Sequence, residues 1–146
     1  AADTIWERFV KLSKISPTKT LKLKDEDLRA IGFSAQKVKY IKSVAEFCLQ
    51  HDGNWHDDDE EVINELVKIK GVGRWTAEMF LIFYLQRPNI LPLADLGLLK
   101  AIEKHYGTER KNLKKIKDKH AKDWHPYRSV ATWYLWRSLD PVPVEY

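Results

Sequence analysis

The feature that most restricts what this chain can become is a break at Gly71-Val72-Gly73 within an otherwise regular helical pattern of apolar residues. Upstream, Val62, Ile63, Leu66, Val67 and Ile69 recur at helical spacing; downstream, Ala77, Phe80, Leu81 and Tyr84 do the same. Such spacing gathers each set on one helix face. Glycine suits both turn positions because it takes positive φ and lets another backbone or an anion come close. The stretch therefore predicts two helices packed across a hairpin over residues 66–77. At the start of the second helix the first N–H groups have no intrahelical acceptor and carry the positive end of the helix dipole, a setting that suits an anion. A plain helix-to-helix turn without a ligand has the same pattern, so these residues alone leave both roles open.

Helical signals dominate the rest of the chain. Ile5, Trp6, Phe9, Val10 and Leu12 form an apolar stripe from the outset. Ser16-Pro17-Thr18 predicts its end, and Leu21-Lys22-Leu23-Lys24 predicts an extended connector. A short helix is expected from Asp25 to Ile31, acidic at its start and with Gly32 past its end. Ser34 then caps a longer one, with Val38, Ile41, Val44, Ala45 and Phe47-Cys48 on one face. The acidic run Asp57 to Glu61 fits the first turn of the next helix, where the dipole favours carboxylates; a metal loop would need ligands spaced around a sharp turn. After the hairpin, Ile90-Leu91-Pro92-Leu93-Ala94 runs extended into Asp95, and Leu96, Leu98, Leu99 and Ile102 begin a helix ending near Tyr106-Gly107. Lys111 to Lys122 is strongly basic, either a solvated helix face or a surface turned towards DNA. A last helix is predicted from Pro126 to Leu139, ended by Asp140-Pro141-Val142-Pro143. Strand signals are nearly absent, so the class is all-α, and 146 residues make one domain, 1–146.

Several chemistries are excluded. Cys48 is the only cysteine, which rules out a cystine framework and a cysteine-held zinc or iron–sulfur site. Gly71-Val72-Gly73 lacks the later glycine of a dinucleotide loop and the Gly-Lys-Ser/Thr ending of a phosphate loop. The histidines, at 51, 56, 105, 120 and 125, lack ligand spacing. No run is long enough to span a bilayer, and the first residues lack the regions of a signal peptide, so a soluble intracellular protein is expected. A net charge of +4 permits an acidic partner without requiring one. The six tryptophans suit either a core or base stacking. Trp6, Trp124 and Trp133 are expected mainly in the core. Asp95, ahead of an apolar helical run, is by itself a plain N-cap.

Taken together, Gly-Val-Gly-Arg-Trp-Thr-Ala-Glu-Met-Phe at 71–80, Leu-Pro-Leu-Ala-Asp-Leu-Gly at 91–97 and Trp124-His125-Pro126-Tyr127-Arg128-Ser129-Val130-Ala131 resemble the helix-hairpin-helix (HhH-GPD) DNA glycosylases of the 3-methyladenine glycosylase II branch. Leu28 to Phe47 resembles that branch's middle helices. The resemblance implies a compact helical domain that lacks the family's N-terminal helices. It also implies hydrolysis of the N-glycosidic bond of alkylated purines in double-stranded DNA, the opening step of base excision repair.

The same resemblance assigns roles. Asp95 matches the catalytic carboxylate, and Trp75, Met79 and Trp136 match pocket positions. Trp75 stands where strand-cutting members carry a nucleophilic lysine, so a monofunctional hydrolase is implied. Met79 departs from a tyrosine found in some members. Gly71, Val72, Gly73, Arg74 and Trp75 match the phosphate-binding hairpin, and a Na or K ion on the backbone carbonyls of Val67, Ile69 and Val72 accompanies such hairpins. No iron–sulfur cluster or other cofactor is implied. The expected state is a monomer, in the cytoplasm or nucleoid of a bacterium or the nucleus of a eukaryote. Two rivals stay open: a non-catalytic DNA-binding module, and a glycosylase for a deaminated or mismatched base.

Overall fold

A computed structural model of the chain describes residues 2–140, and it is helical, with no strand among them. Two compact units divide at Gly73 and Arg74.

The first unit holds α1 (Ala2–Ser13), α2 (Pro17–Lys22), α3 (Asp25–Ala30), α4 (Ala35–Gln50) and α5 (Asp59–Leu66). Phe9, Leu28 and Val38 form its core, with Leu23, Ile31, Phe33 and Ile41 packed around them. The ring of Phe9 meets that of Phe33 edge-on, with centroids 5.6 Å apart. Phe9 takes the core position that the α1 stripe offered. Trp6, placed in the core by its spacing, is instead 55% exposed, touching Phe9 only obliquely at 6.0 Å. The extended connector predicted at Leu21 to Lys24 is also corrected in part. Ser16 accepts from Lys19 N–H as an N-cap, and Pro17 sits in the first turn, so the serine and proline that end one helix also start the next. Leu21 and Lys22 belong to this α2, and only Leu23 and Lys24 are extended.

The cap predicted at Ser34 holds, and Asp58 supplies one that the sequence reading had not named. Ser34 accepts from Lys37 N–H at the head of α4, and Asp58 accepts from Glu61 N–H at the head of α5. The acidic run thus supplies the cap and first turn of α5. No cluster of three or more His, Cys, Asp or Glu side chains placed to hold a metal ion occurs among the described residues. In the loop between α4 and α5, His51 is stacked on Trp55 with centroids 4.0 Å apart, and its Nε2 lies 3.4 Å from Glu65.

The second unit begins with α6 (Arg74–Phe83). After an extended lead-in come α7 (Leu96–Tyr106), the short α8 (Leu113–Lys115), a π-helical length over Ile116–His120, α9 (Ala121–Asp123) and α10 (Arg128–Arg137). Leu98, Leu99, Ala101, Ile102, Ile116 and Leu135 form the core. Trp124 packs half-buried against them, as expected. Trp133 does not: it is 37% exposed, edge-on to Tyr134 and beneath the guanidinium of Arg137. Helix α10 ends at Arg137, two residues earlier than predicted, and of the expected terminator only Asp140 lies within the described residues. The basic run is a broken helix whose lysines are exposed while Ile116 and His120 are buried.

Ser129 ties the lead-in to α10. Its backbone N–H donates to Pro88 O at 2.9 Å, its hydroxyl donates to Arg87 O at 2.6 Å, and it accepts from Ile90 N–H at 2.9 Å. Loop backbone that would otherwise be unpaired is thereby satisfied, and the path into Asp95 is set.

His120 is 2% exposed, within 3.0 Å of the Thr108 hydroxyl and stacked on Trp124. Burial, reinforced by Lys119 and Lys115 and opposed by Asp123, holds its imidazole below the ordinary 6.5. The folded state therefore favours the neutral ring, and as the pH falls the unfolded chain takes up the proton first. Stability from this residue is complete above pH 6.5 and declines as the pH drops below it. Urea denaturation between pH 7.5 and 5 should show that decline, with a shallower slope for His120→Gln.

Candidate active site

Asp95 closes the lead-in and caps α7, with extended backbone at φ −80° and ψ 113°. Its Oδ1 accepts from Leu98 N–H at 2.6 Å, which makes it the N-cap that the sequence predicts. The carboxylate also has two further donors. Trp136 Nε1–H donates to Oδ1 at 2.8 Å, and Trp75 Nε1–H donates to Oδ2 at 3.0 Å. A carboxylate offers about four acceptor positions, and three are filled by these donors. At least one remains on the Oδ2 side for a reacting partner. The N-terminus of α7 adds the positive end of its dipole.

The two indoles have different surroundings. Trp75, in the first turn of α6, is 45% exposed, whereas Trp136 on α10 is half-buried against the core of the second unit. Each ring has a polar edge turned to Asp95 and apolar faces left for packing or stacking. Met79 lies on α6 four residues after Trp75, half-buried and on the same helix face. Asp95, Trp75 and Trp136, widely separated in sequence, are thus brought together.

Gly97 escaped the sequence reading. A Cβ there would lie 3.1 Å from Asp95 Oδ1 and 3.5 Å from Trp136 Cδ1. The tighter of the two approaches is to the carboxylate, so a side chain at position 97 would crowd Asp95 before it met the indole. The available signal was a helix-disfavouring glycine inside an apolar helical run.

At the hairpin the two glycines do different things. Gly71 has φ +92°, and a Cβ there would come within 2.2 Å of the Tyr40 ring. Tyr40 itself is held by a hydrogen bond with Gln36. Gly73 lacks positive φ, and a Cβ there would meet nothing within 4 Å. Its predicted need for positive φ is therefore corrected: inside this chain, position 73 has room for a side chain. Val72 N–H donates to Ile69 O at 3.0 Å, so that amide is engaged within the turn. Arg74 pairs with Glu78, its Nε 3.1 Å from Oε1.

Against known proteins, the model for the HhH-GPD superfamily base excision DNA repair protein matches residues 1–126. The chain belongs to the HhH-GPD superfamily. The match takes in the hairpin and Asp95 but stops before Trp136. Among relatives, the Bacillus subtilis protein YfjP is 39% identical over 128 residues, covering 85% of this chain and 45% of that protein. DNA-3-methyladenine glycosylase 1 of Schizosaccharomyces pombe is 34% identical over 147 residues, covering 94% and 64%. The chain thus spans about half to two thirds of these HhH-GPD relatives. The crystal structure of DNA-3-methyladenine glycosidase from Bacillus halodurans superposes with a TM-score of 0.80 at 35% identity, over 94% of this chain and 66% of that one. The S. pombe enzyme Mag1, solved in complex with abasic DNA, gives 0.75 at 31% identity, over 94% and 71%. The all-α HhH-GPD fold is therefore shared.

The two hairpin glycines should separate in stability measurements. Gly71→Ala combines a disfavoured backbone with overpacking against Tyr40 and should cost about 2 kcal/mol or more. Gly73→Ala should change stability by less than about 1 kcal/mol. Urea denaturation of both variants checks this.

Proposed function

We propose that this chain is the hairpin-bearing part of a monofunctional DNA glycosylase that hydrolyses the N-glycosidic bond of alkylated purines in double-stranded DNA. The observation that carries the proposal is the Asp95 carboxylate, held by one backbone and two indole N–H groups with acceptor capacity to spare. Breaking the C1′–N bond leaves positive charge on the sugar, and a fixed carboxylate stabilises that charge or orients the attacking water. Water adds its oxygen to C1′ and gives up a proton, while the electron pair of the broken bond goes to the base. A purine methylated at N3 or N7 is already cationic and so departs neutral. The same charge draws it to electron-rich indole faces such as those of Trp75 and Trp136, by about 0.5 to 2 kcal/mol each. Met79, between them and the next turn of α6, completes the proposed pocket.

The hairpin is the proposed grip on a DNA phosphate, through the amides of Gly71, Gly73 and the start of α6, with Arg74 and Trp75 following. Gly73 supports this, since its bare Cα answers no steric demand within the chain. A sodium or potassium ion on the Val67, Ile69 and Val72 carbonyls would brace the turn. Trp75 offers no amine for a Schiff base, which favours base release without strand cleavage.

Asp95→Asn tests the assignment. Asparagine still caps α7 and keeps one oxygen for Leu98 and Trp136, so the fold should survive. Release of methylated purines from methylated DNA should fall by about a thousandfold or more, while abasic-site DNA is still bound. Normal excision by Asp95→Asn would remove the carboxylate from the mechanism, and a parent chain that binds DNA without releasing any base would favour a non-catalytic module. In the same assays Gly73→Ala should weaken binding to all DNA sequences alike, and borohydride should trap no covalent adduct.

A further inference from the structure

Phe83 has so far had no role. It is the last residue of α6 and 63% exposed. Its ring lies nearly parallel to the indole of Trp136, at an interplanar angle of 9° with centroids 5.9 Å apart. Trp75, Met79 and Phe83 follow one another at intervals of four residues, so they lie along one face of α6. The two ends of that stripe lead to the same carboxylate. Trp75 donates to Asp95 directly, and Phe83 stacks on Trp136, which donates to the other oxygen.

We infer that Phe83 is a positioning and specificity residue of the pocket, backing the Trp136 indole so that it presents a fixed plane to a flat, electron-poor base. This inference rests on the glycosylase reading above. The physical argument concerns what holds Trp136 in place. Its Nε1–H pins one edge of the ring to Asp95, but one hydrogen bond leaves the ring able to tilt about that edge. Gly97 leaves room beside the same edge, where a Cβ would be 3.5 Å from Cδ1. A parallel aromatic ring against the indole face opposes the tilt, as offset-stacked pairs do. Met79, in the middle of the stripe, is a flexible thioether chain that adapts its shape and offers no plane. The flat surfaces of the pocket therefore come from Trp75 and Trp136, with Phe83 backing the second. Cationic alkylated purines gain from that rigid electron-rich surface, while a neutral base such as hypoxanthine gains less.

The test compares Phe83→Ala, Phe83→Leu and Phe83→Tyr in the full chain, with Asp95→Asn alongside. Single-turnover release is measured from duplexes carrying 7-methylguanine or hypoxanthine, together with affinity for abasic-site DNA. The Ala and Leu variants should release 7-methylguanine about five- to tenfold more slowly. Their loss on hypoxanthine should be smaller and their abasic-site affinity unchanged, and Tyr should restore the parental rate. The Trp136 indole N–H resonance should shift in the Ala variant and return in the Tyr variant. A Leu variant with the parental rate on 7-methylguanine would overturn the inference, because leucine fills space without offering a plane. Equal losses on both bases with an unmoved Trp136 resonance would overturn it too. If Asp95→Asn is as active as the parent, the glycosylase reading fails and takes this inference with it; if Asp95→Asn is inactive and Phe83→Ala is unaffected, this inference fails alone.

Discussion

Asp95 is the point on which the second unit depends. One carboxylate caps α7 and accepts from indoles on α6 and α10, so three helices are registered against two oxygen atoms. The arrangement is mutual. A half-buried carboxylate needs partners to offset its lost hydration, and a half-buried indole N–H needs an acceptor. Each group answers the other's requirement, and the α7 dipole supports the negative charge. A residue that looks like an ordinary helix cap thus also pins the polar edges of two indoles.

The surroundings of Asp95 serve the same geometry. Ser129 bonds to Arg87, Pro88 and Ile90, which anchors the lead-in at its start, and Pro92 is buried near its end. Below the cap, Leu98, Ile102, Ile116 and Leu135 hold α7 to α10 through close apolar packing. Packing on one side and hydrogen bonds on the other hold the carboxylate in one position.

The first unit presents the hairpin, and here the constraint is steric. The Tyr40 ring leaves no space for a side chain at position 71, while position 73 stays open. Charge is distributed unevenly. Residues 111–122 hold six lysines and one aspartate, more positive charge than the +4 of the whole chain, so the remainder is slightly acidic. The positive charge of the chain is thus concentrated in this one run and does not spread as a general positive field.

Much of this was legible in the residues. Apolar periodicity determined the all-α class and most helix positions, because one buried face per helix is a local requirement of composition and spacing. Caps at Ser34 and Asp95 were equally local, since each side chain answers an N–H three residues away. The resemblance of the hairpin, the lead-in to Asp95 and the Trp124 to Ala131 stretch pointed to the HhH-GPD family, which the comparisons confirm. What the residues could not decide was which aromatic rings are buried and which face a carboxylate. Trp6 and Trp133 have the spacing of core residues yet are exposed, and Trp136, with similar spacing, reaches Asp95 from 41 residues away. Periodicity specifies a face of a helix; only packing decides what that face meets. The Tyr40 ring over Gly71, the room beside Gly97 and the stacking of Phe83 on Trp136 are all contacts between distant residues. Only tertiary structure could decide them, because their energies depend on ångström-scale approach between elements that the sequence leaves unpaired.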